Sequence, residues 1–305
     1  MGESGNQLLP PGVVAPILTP FQADGSVSHG RMVEHAQRML ADGCVGLAVF
    51  GTTGAALSVA TRERTAALEA LVDAGIDPGL LVVGTGLTNL PGTVHLTRHA
   101  VDLGCRACMV LPPFYFKDPA EEGLFRHFAG LVDAVDDDRL RIMLYHIPQV
   151  AGVGIPVSLA ARLRVEFPDA VVAVKDSSGD WANTEALFAV DGLVVYPGAE
   201  LPLLDALDLG GPGCITATAN VSAGPVAEVI RRYVEGGREA AGPAMEAARA
   251  VRLVLQGHPP IPTMKGLVAR RLGDPTWATV RPPFLPADED VVSGLDAAIA
   301  EATVG

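Results

Sequence analysis

The sequence is poor in lysine and cysteine and has no long apolar run, and each shortage narrows what it can be. Only Lys117, Lys175 and Lys265 stand among 22 basic residues, the rest being arginine. Against them are 35 acidic residues, giving a formal charge of −13 and an isoelectric point near 4.9. Such a chain has no electrostatic footprint for a phosphate backbone or an anionic membrane, so no nucleic-acid or membrane partner is expected. Four cysteines, Cys44, Cys105, Cys108 and Cys214, are too few for a disulfide scaffold in 305 residues. Two of them form CRAC (105–108), but no second pair completes a four-ligand zinc site. On an extended segment their side chains point to opposite faces, so packed core thiols are expected. No segment runs 18 apolar residues, and the opening MGESGNQLLPPG lacks the basic start and apolar stretch of a secretory signal. A cytoplasmic protein is expected. Gly2 fits a loose myristoylation pattern, but Asn6 stands where Ser or Thr is needed, and the opening residues are taken as a disordered tail.

What is present is a repeated alternation. Hydrophobic residues make up 49% of the chain, enough for a large core, and the length suits two domains or one barrel of about 250 residues plus an extension. Eight short apolar runs occur in order: VVAPIL, GLAVF, LLVVG, ACMVL, RIMLY, VVAVK, LVVYP and GCITA. Segments of helical composition lie between them, several opening on Ser, Thr or Pro and closing at Gly, as helix caps do. Continuous apolar runs mark strands buried on both faces, and their spacing predicts a (β/α)8 TIM barrel over 1–236. An open doubly wound sheet is the alternative. After the eighth run, Ala-rich helical stretches predict a C-terminal helical extension, 237–305, packed on the barrel.

The active site of such a barrel lies where strands end and βα loops begin. The residues there are Thr19, GTTG (51–54), PPFYF (112–116), Tyr145 with His146, Lys175, Gly198 and Ile215. Lys175 closes VVAVK, where a solvated charge is out of place. Burial disfavours the charged form of an amine and raises the fraction able to attack a carbonyl, as Schiff-base chemistry requires. Carbinolamine formation and dehydration move protons, a task for hydroxyls such as Tyr145 and the paired Thr52 and Thr53. Backbone N–H groups of the GTTG turn suit a carboxylate. Together these parts describe a site for a 2-oxo acid.

In order and spacing, FGTTGA, LPPFYF, LYHIPQVAG, VAVKDSSGD and GGPGCITATANV resemble the dihydrodipicolinate synthase and N-acetylneuraminate lyase family of pyruvate-dependent class I aldolases. The resemblance runs from about Val13 to Ala219, and IPTMKGLVARRLG is similar too. It implies a homotetrameric barrel lyase, a dimer of tight dimers, with no metal or organic cofactor and with pyruvate or a related 2-oxo acid bound as an imine on Lys175. Tyr145 matches the proton-shuttling tyrosine, Thr52 the relay threonine and Thr53 the carboxylate binder. Tyr115 matches the tyrosine inserted into a neighbouring subunit's site. Gly198 and Ile215 match positions whose carbonyls line the pocket.

Departures from the family pattern bear on substrate. The synthases usually carry Tyr-Asn-x-Pro-x-Arg at the fifth strand, the arginine gripping the second substrate's carboxylate; here Tyr145 leads to Val150. A charge-assisted contact worth about 1.5–3 kcal/mol is thereby lost. Phe116 replaces a usual Asn and Ala55 a usual Glu, and VKDSSGD is also similar to 4-hydroxy-2-oxoglutarate aldolases. Aldol cleavage or dehydration of a hydroxylated 2-oxo acid is therefore expected, with His146 and Gln149 placed to contact substrate hydroxyls. The alternatives are 4-hydroxy-tetrahydrodipicolinate synthase, condensing pyruvate with aspartate semialdehyde, and a non-catalytic 2-oxo acid sensor. A metal-dependent aldolase finds only the helical pair His95 and His99, without the adjacent Glu of a zinc motif. The Gly-x-Gly in VVGTGLTNLPG (82–92) lacks the rest of a dinucleotide fingerprint and is expected to be the third βα turn.

Overall fold

Each of the eight apolar runs forms a strand in the computed structural model, which describes residues 8–304. The opening residues, including Gly2 and Asn6, lie outside the described residues. The strands are β1 (Gly12–Pro16), β2 (Cys44–Val49), β3 (Leu81–Gly84), β4 (Ala107–Val110), β5 (Ile142–His146), β6 (Val171–Asp176), β7 (Val194–Pro197) and β8 (Gly213–Ile215). They run parallel in the order β7-β6-β5-β4-β3-β2-β1-β8, a (β/α)8 barrel. Nearly every strand residue is buried, which is why the runs lack polar alternation.

Helices follow the strands: α1 (His29–Ala41), α2 (Thr61–Asp73), α3 (Leu90–Asp102), α4 (Glu121–Val135), α5 (Pro148–Ala151), α6 (Val157–Glu166), α7 (Trp181–Phe188) and α8 (Leu203–Asp208). Asn89 and Asp180 cap α3 and α7 by accepting from Gly92 N and Ala182 N, each satisfying an otherwise orphaned donor. Beyond β8 come α9 (Ala219–Leu255), α10 (Pro260–Leu272) and α11 (Glu289–Val304). The helical path of α9 breaks at Gly237, whose φ is 73°, a positive value that glycine adopts freely.

By packing density the chain forms two compact units. Among the described residues, one is Gly12–Ile76 with 216–304, and the other is Asp77–Ile215 with 8–11. The first unit thus groups β1 and β2 with the C-terminal helices, a partition that composition does not reveal. Its polar centre is Asn220, whose Oδ1 accepts from Leu18 N at 3.1 Å and lies 2.8 Å from His35 Nε2. The same side chain donates to Pro16 O and Ala217 O, so one buried amide with all its groups engaged ties the end of β1 to α1 and the start of α9. Burial pushes the His35 imidazole down to about 4, keeping it neutral there. Around this centre Leu18, Leu267, Trp277, Val251 and Ile299 form an apolar cluster joining β1 to the three terminal helices.

Candidate active site

In the Asp77–Ile215 unit, β5 and β6 pair so that Tyr145 faces Lys175 and His146 faces Asp176. Residues adjacent across a parallel pair share a face and successive residues alternate, so Tyr145 and Lys175 lie on one side of the sheet and His146 and Asp176 on the other. Lys175 is 4% exposed and Tyr145 3%, and the amine sits 4.6 Å from the centre of the Tyr145 ring. On the other flank Lys175 is in register with Tyr196 of β7, a fully buried phenol that desolvation keeps protonated by pushing its pKa up. The nearly dry amine thus rests against Tyr145, while Tyr196 is its backbone neighbour across β6 and β7, a pairing that motif spacing did not reveal.

The loop after β6 is held from the opposite face. Asp176 accepts from Ser178 N at 2.8 Å, Asn183 Nδ2 at 2.9 Å and Thr184 Oγ1 at 2.8 Å, which fixes the KDSSGD turn directly beyond Lys175. Gly198 N donates to Asp176 O at 2.6 Å, and a Cβ at Gly198 would come within 1.9 Å of Ser177 Oγ. Only glycine lets the ends of β6 and β7 approach so closely. Ile215 ends β8 and is fully buried. The third βα turn shows the same device at Gly86, where a Cβ would meet Leu111 N at 2.4 Å. Close packing of β3 against β4 accounts for the Gly-x-Gly there.

Other expected site residues fall elsewhere. His146 Nδ1 accepts from Ile155 N at 2.9 Å, and burial pushes its pKa down against the opposing pull of Asp176. Its ring lines a cavity of about 270 Å³ with Asp118, Glu121, Gly152 and Pro156, away from the Lys175 face. Gln149 Nε2 donates to Ser177 O at 2.6 Å, bridging the exits of β5 and β6. Val150, on the same short turn, is 62% exposed. Tyr115 and Phe116 are 75% and 66% exposed and meet edge to face with centroids 5.7 Å apart. Lys117 fastens the loop that carries them, donating to Phe114 O at 2.7 Å and Ala151 O at 3.1 Å.

In the other unit, Thr52 and Thr53 are partly buried on the turn after β2. Thr19, fully buried, donates its hydroxyl to Gly54 O at 2.6 Å, so it supports that turn. His95 and His99 lie on α3, and among the described residues no three His, Cys, Asp or Glu side chains gather as a metal-binding group. Cys105 and Cys108 are free thiols, and burial pushes Cys105 up to about 12.

Lys265 is a second buried lysine. Its amine donates to Thr279 O at 2.8 Å and lies 4.1 Å from the Phe21 ring centre, and the residue is fully buried. Desolvation, with Arg281 beside it, pushes its pKa down to about 7 from the usual 10.5. The unfolded chain therefore binds more protons than the fold between those values, and stability rises with pH across that window. Relative to a Lys265→Met variant, the wild type should gain up to about 1.4 kcal/mol per pH unit there. Urea midpoints of both proteins at about pH 7 and about pH 9.5 check this; parallel midpoints would contradict it.

The comparisons with known proteins define the class, a lyase. The Dihydrodipicolinate synthetase family model matches residues 9–302. An uncharacterized DapA-like lyase of Chloroflexus aurantiacus is 34% identical over 291 residues, covering 95% of this chain and 96% of the relative. A 4-hydroxy-tetrahydrodipicolinate synthase of Thermus thermophilus is 34% identical over 291 residues, with 92% of each chain covered. The crystal structure of dihydrodipicolinate synthase from Agrobacterium tumefaciens superposes with a TM-score of 0.85 at 31% identity, covering 96% of this chain and 99% of that one. The chain belongs to the dihydrodipicolinate synthetase family. No helix among the described residues is long and apolar enough to cross a membrane.

Proposed function

We propose that the protein is a Schiff-base lyase that cleaves or dehydrates a 4-hydroxy-2-oxo acid, using Lys175 as nucleophile and no metal or organic cofactor. The observation that carries this reading is the Lys175 amine at the end of β6, nearly dry and resting against Tyr145. The amine adds to the C2 carbonyl, and loss of water gives a protonated imine. Deprotonation of the C4 hydroxyl then breaks the C3–C4 bond, the pair moving into an enamine while an aldehyde leaves. Protonation at C3 and hydrolysis release pyruvate and restore the amine. Tyr145 and Thr52 carry the protons, Thr53 and the turn amides hold the carboxylate, and the carbonyls of Gly198 and Ile215 line the pocket. Because His146 faces the helix layer, its role here is to hold the β5 exit, leaving Gln149 and Val150 nearer to a substrate tail. The exposed Tyr115 and Phe116 suit burial by a second copy of the chain in a dimer of tight dimers, which would bring Tyr115 into the neighbouring site.

A second reading, condensation of pyruvate with aspartate semialdehyde, is favoured by the name of the Thermus relative. Val150 opposes it. An exposed position on a short turn has room for an arginine, and restoring one bidentate contact should raise semialdehyde condensation roughly ten-fold or more in Val150→Arg. The deciding experiment is steady-state pyruvate release from a panel of 4-hydroxy-2-oxo acids beside condensation assays on both proteins. Turnover of the panel by the wild type supports the cleavage reading. Condensation by the wild type that Val150→Arg does not improve sinks it, and imine formation without turnover points to a sensor.

A further inference from the structure

The turn after β2 is strained. Phe50 and Ala55, the residues on either side of GTTG, have φ of 57° and 51°, left-handed values that cost a non-glycine residue on the order of 1–3 kcal/mol each. Such a conformation persists only where its surroundings impose it. Downstream the chain turns through Ala55–Val59, with Ser58 N donating to Ala55 O and Val59 N to Ala56 O, before α2 begins.

Two guanidinium groups hold this segment by its carbonyls. Arg64, buried in α2, donates from Nε to Val59 O at 3.1 Å and from a terminal nitrogen to Ala56 O. Arg281, from the segment between α10 and α11, donates to the intervening Ser58 O at 2.6 Å. The same Arg281 pairs through both terminal nitrogens with Glu63, at 2.8 and 2.5 Å, and donates to Gly25 O at 2.8 Å. Its guanidinium also lies 4.6 Å from the centre of the buried Phe21 ring. Glu63 in turn accepts from Ala60 N at 2.9 Å, closing the start of α2. The paired guanidinium holds its carboxyl down to about 2, and burial without a carboxylate brings Arg64 down to about 10. Burying a cation against carbonyls alone is costly, and here the result is that three carbonyls just beyond a strained turn are fixed from two sides.

We propose that Arg281 is a positioning residue for the carboxylate-holding turn: acting with Arg64 through Ser58 and Glu63, it fixes the strained 50–55 segment that presents Thr52 and Thr53 to substrate. The proposal rests on the assignment of those threonines made above. A guanidinium at this place has five donors in a fixed fork, of which four contacts are used, so a lysine cannot replace it fully.

The test combines two measurements on Arg281→Met, Arg281→Lys and Glu63→Gln. Borohydride trapping of the Lys175 imine against pyruvate concentration gives the half-saturation and the plateau. Amide exchange over 50–60 gives the order of the turn. For Arg281→Met the half-saturation should rise roughly ten- to a hundred-fold, with the plateau kept and exchange accelerated. Arg281→Lys should fall between Met and wild type. Glu63→Gln keeps the donor to Ser58 and should shift less, which preserves the test if Arg281→Met does not fold. A loss of Tm with half-saturation within two-fold of wild type, in the folded variants, would overturn the proposal and leave the active site as described. Failure of the wild type to trap pyruvate on Lys175 would overturn both.

Discussion

Lys175→Met should lose lyase activity by on the order of 10⁴-fold or more while remaining folded. Methionine nearly matches the length and volume of the lysine stem, so packing beside Tyr145 is retained and the principal loss is the amine. With it go the carbonyl adduct and the electron sink that stabilises the pair released from the broken C–C bond. Without a covalent imine, only binding and hydrogen-bonding contributions to catalysis survive. Lys265→Met is the matched control: it also deletes a buried amine, but one committed to Thr279 O and the Phe21 ring. Its activity should stay near wild type at temperatures where it is folded. Comparable losses in the two variants would remove the distinction between a reactive and a structural lysine.

Tyr145→Phe should lower kcat/KM by about 10²–10⁴-fold, the range for removing one general acid–base group. The substitution keeps the ring over which the Lys175 amine sits at 4.6 Å and deletes only the hydroxyl, so the site's shape is preserved. Imine should still form, but slowly, because water must carry protons that the phenol moves in the wild type. Borohydride trapping should therefore reach the wild-type plateau after a longer lag. A drop below about ten-fold, with trapping at the wild-type rate, would show that Tyr145 merely packs.

How far the molecule could be foreseen differs from residue to residue. The eight strands were legible because each is buried on both faces and therefore reads as an unbroken apolar run, the feature that also made Lys175 conspicuous at the end of VVAVK. The two-residue period of a strand separates Tyr145 from His146 and can be read without the fold, whereas position in the motif alone points His146 toward substrate. Thr19 also stands at a strand end, and its hydroxyl is committed to Gly54 O, a support that its position does not reveal.

Lys265 gave no comparable signal. It lies in a helix with arginines in the last turn, and its burial comes from Phe21, Thr279 and Arg281, which are distant in sequence or on irregular chain. The same holds for the hold on the GTTG turn, where Arg281 and Glu63 lie 218 residues apart. Asn220 likewise joins β1 and α1 to the start of α9, and three of its four partners, Leu18, His35 and Pro16, lie 185 or more residues away. Local pattern specifies strands and strand-end chemistry, and some loop supports are local too, as Asp176 is to Ser178, Asn183 and Thr184, while others, such as Arg281 with Glu63, join residues far apart in sequence.

The most direct measurement is reduction with borohydride in the presence of pyruvate, followed by peptide mapping of the three lysines. One pyruvate-derived adduct, on the peptide carrying Lys175 and absent from Lys175→Met, is the result expected. An adduct on Lys117 or Lys265, or no adduct at all, would contradict the account.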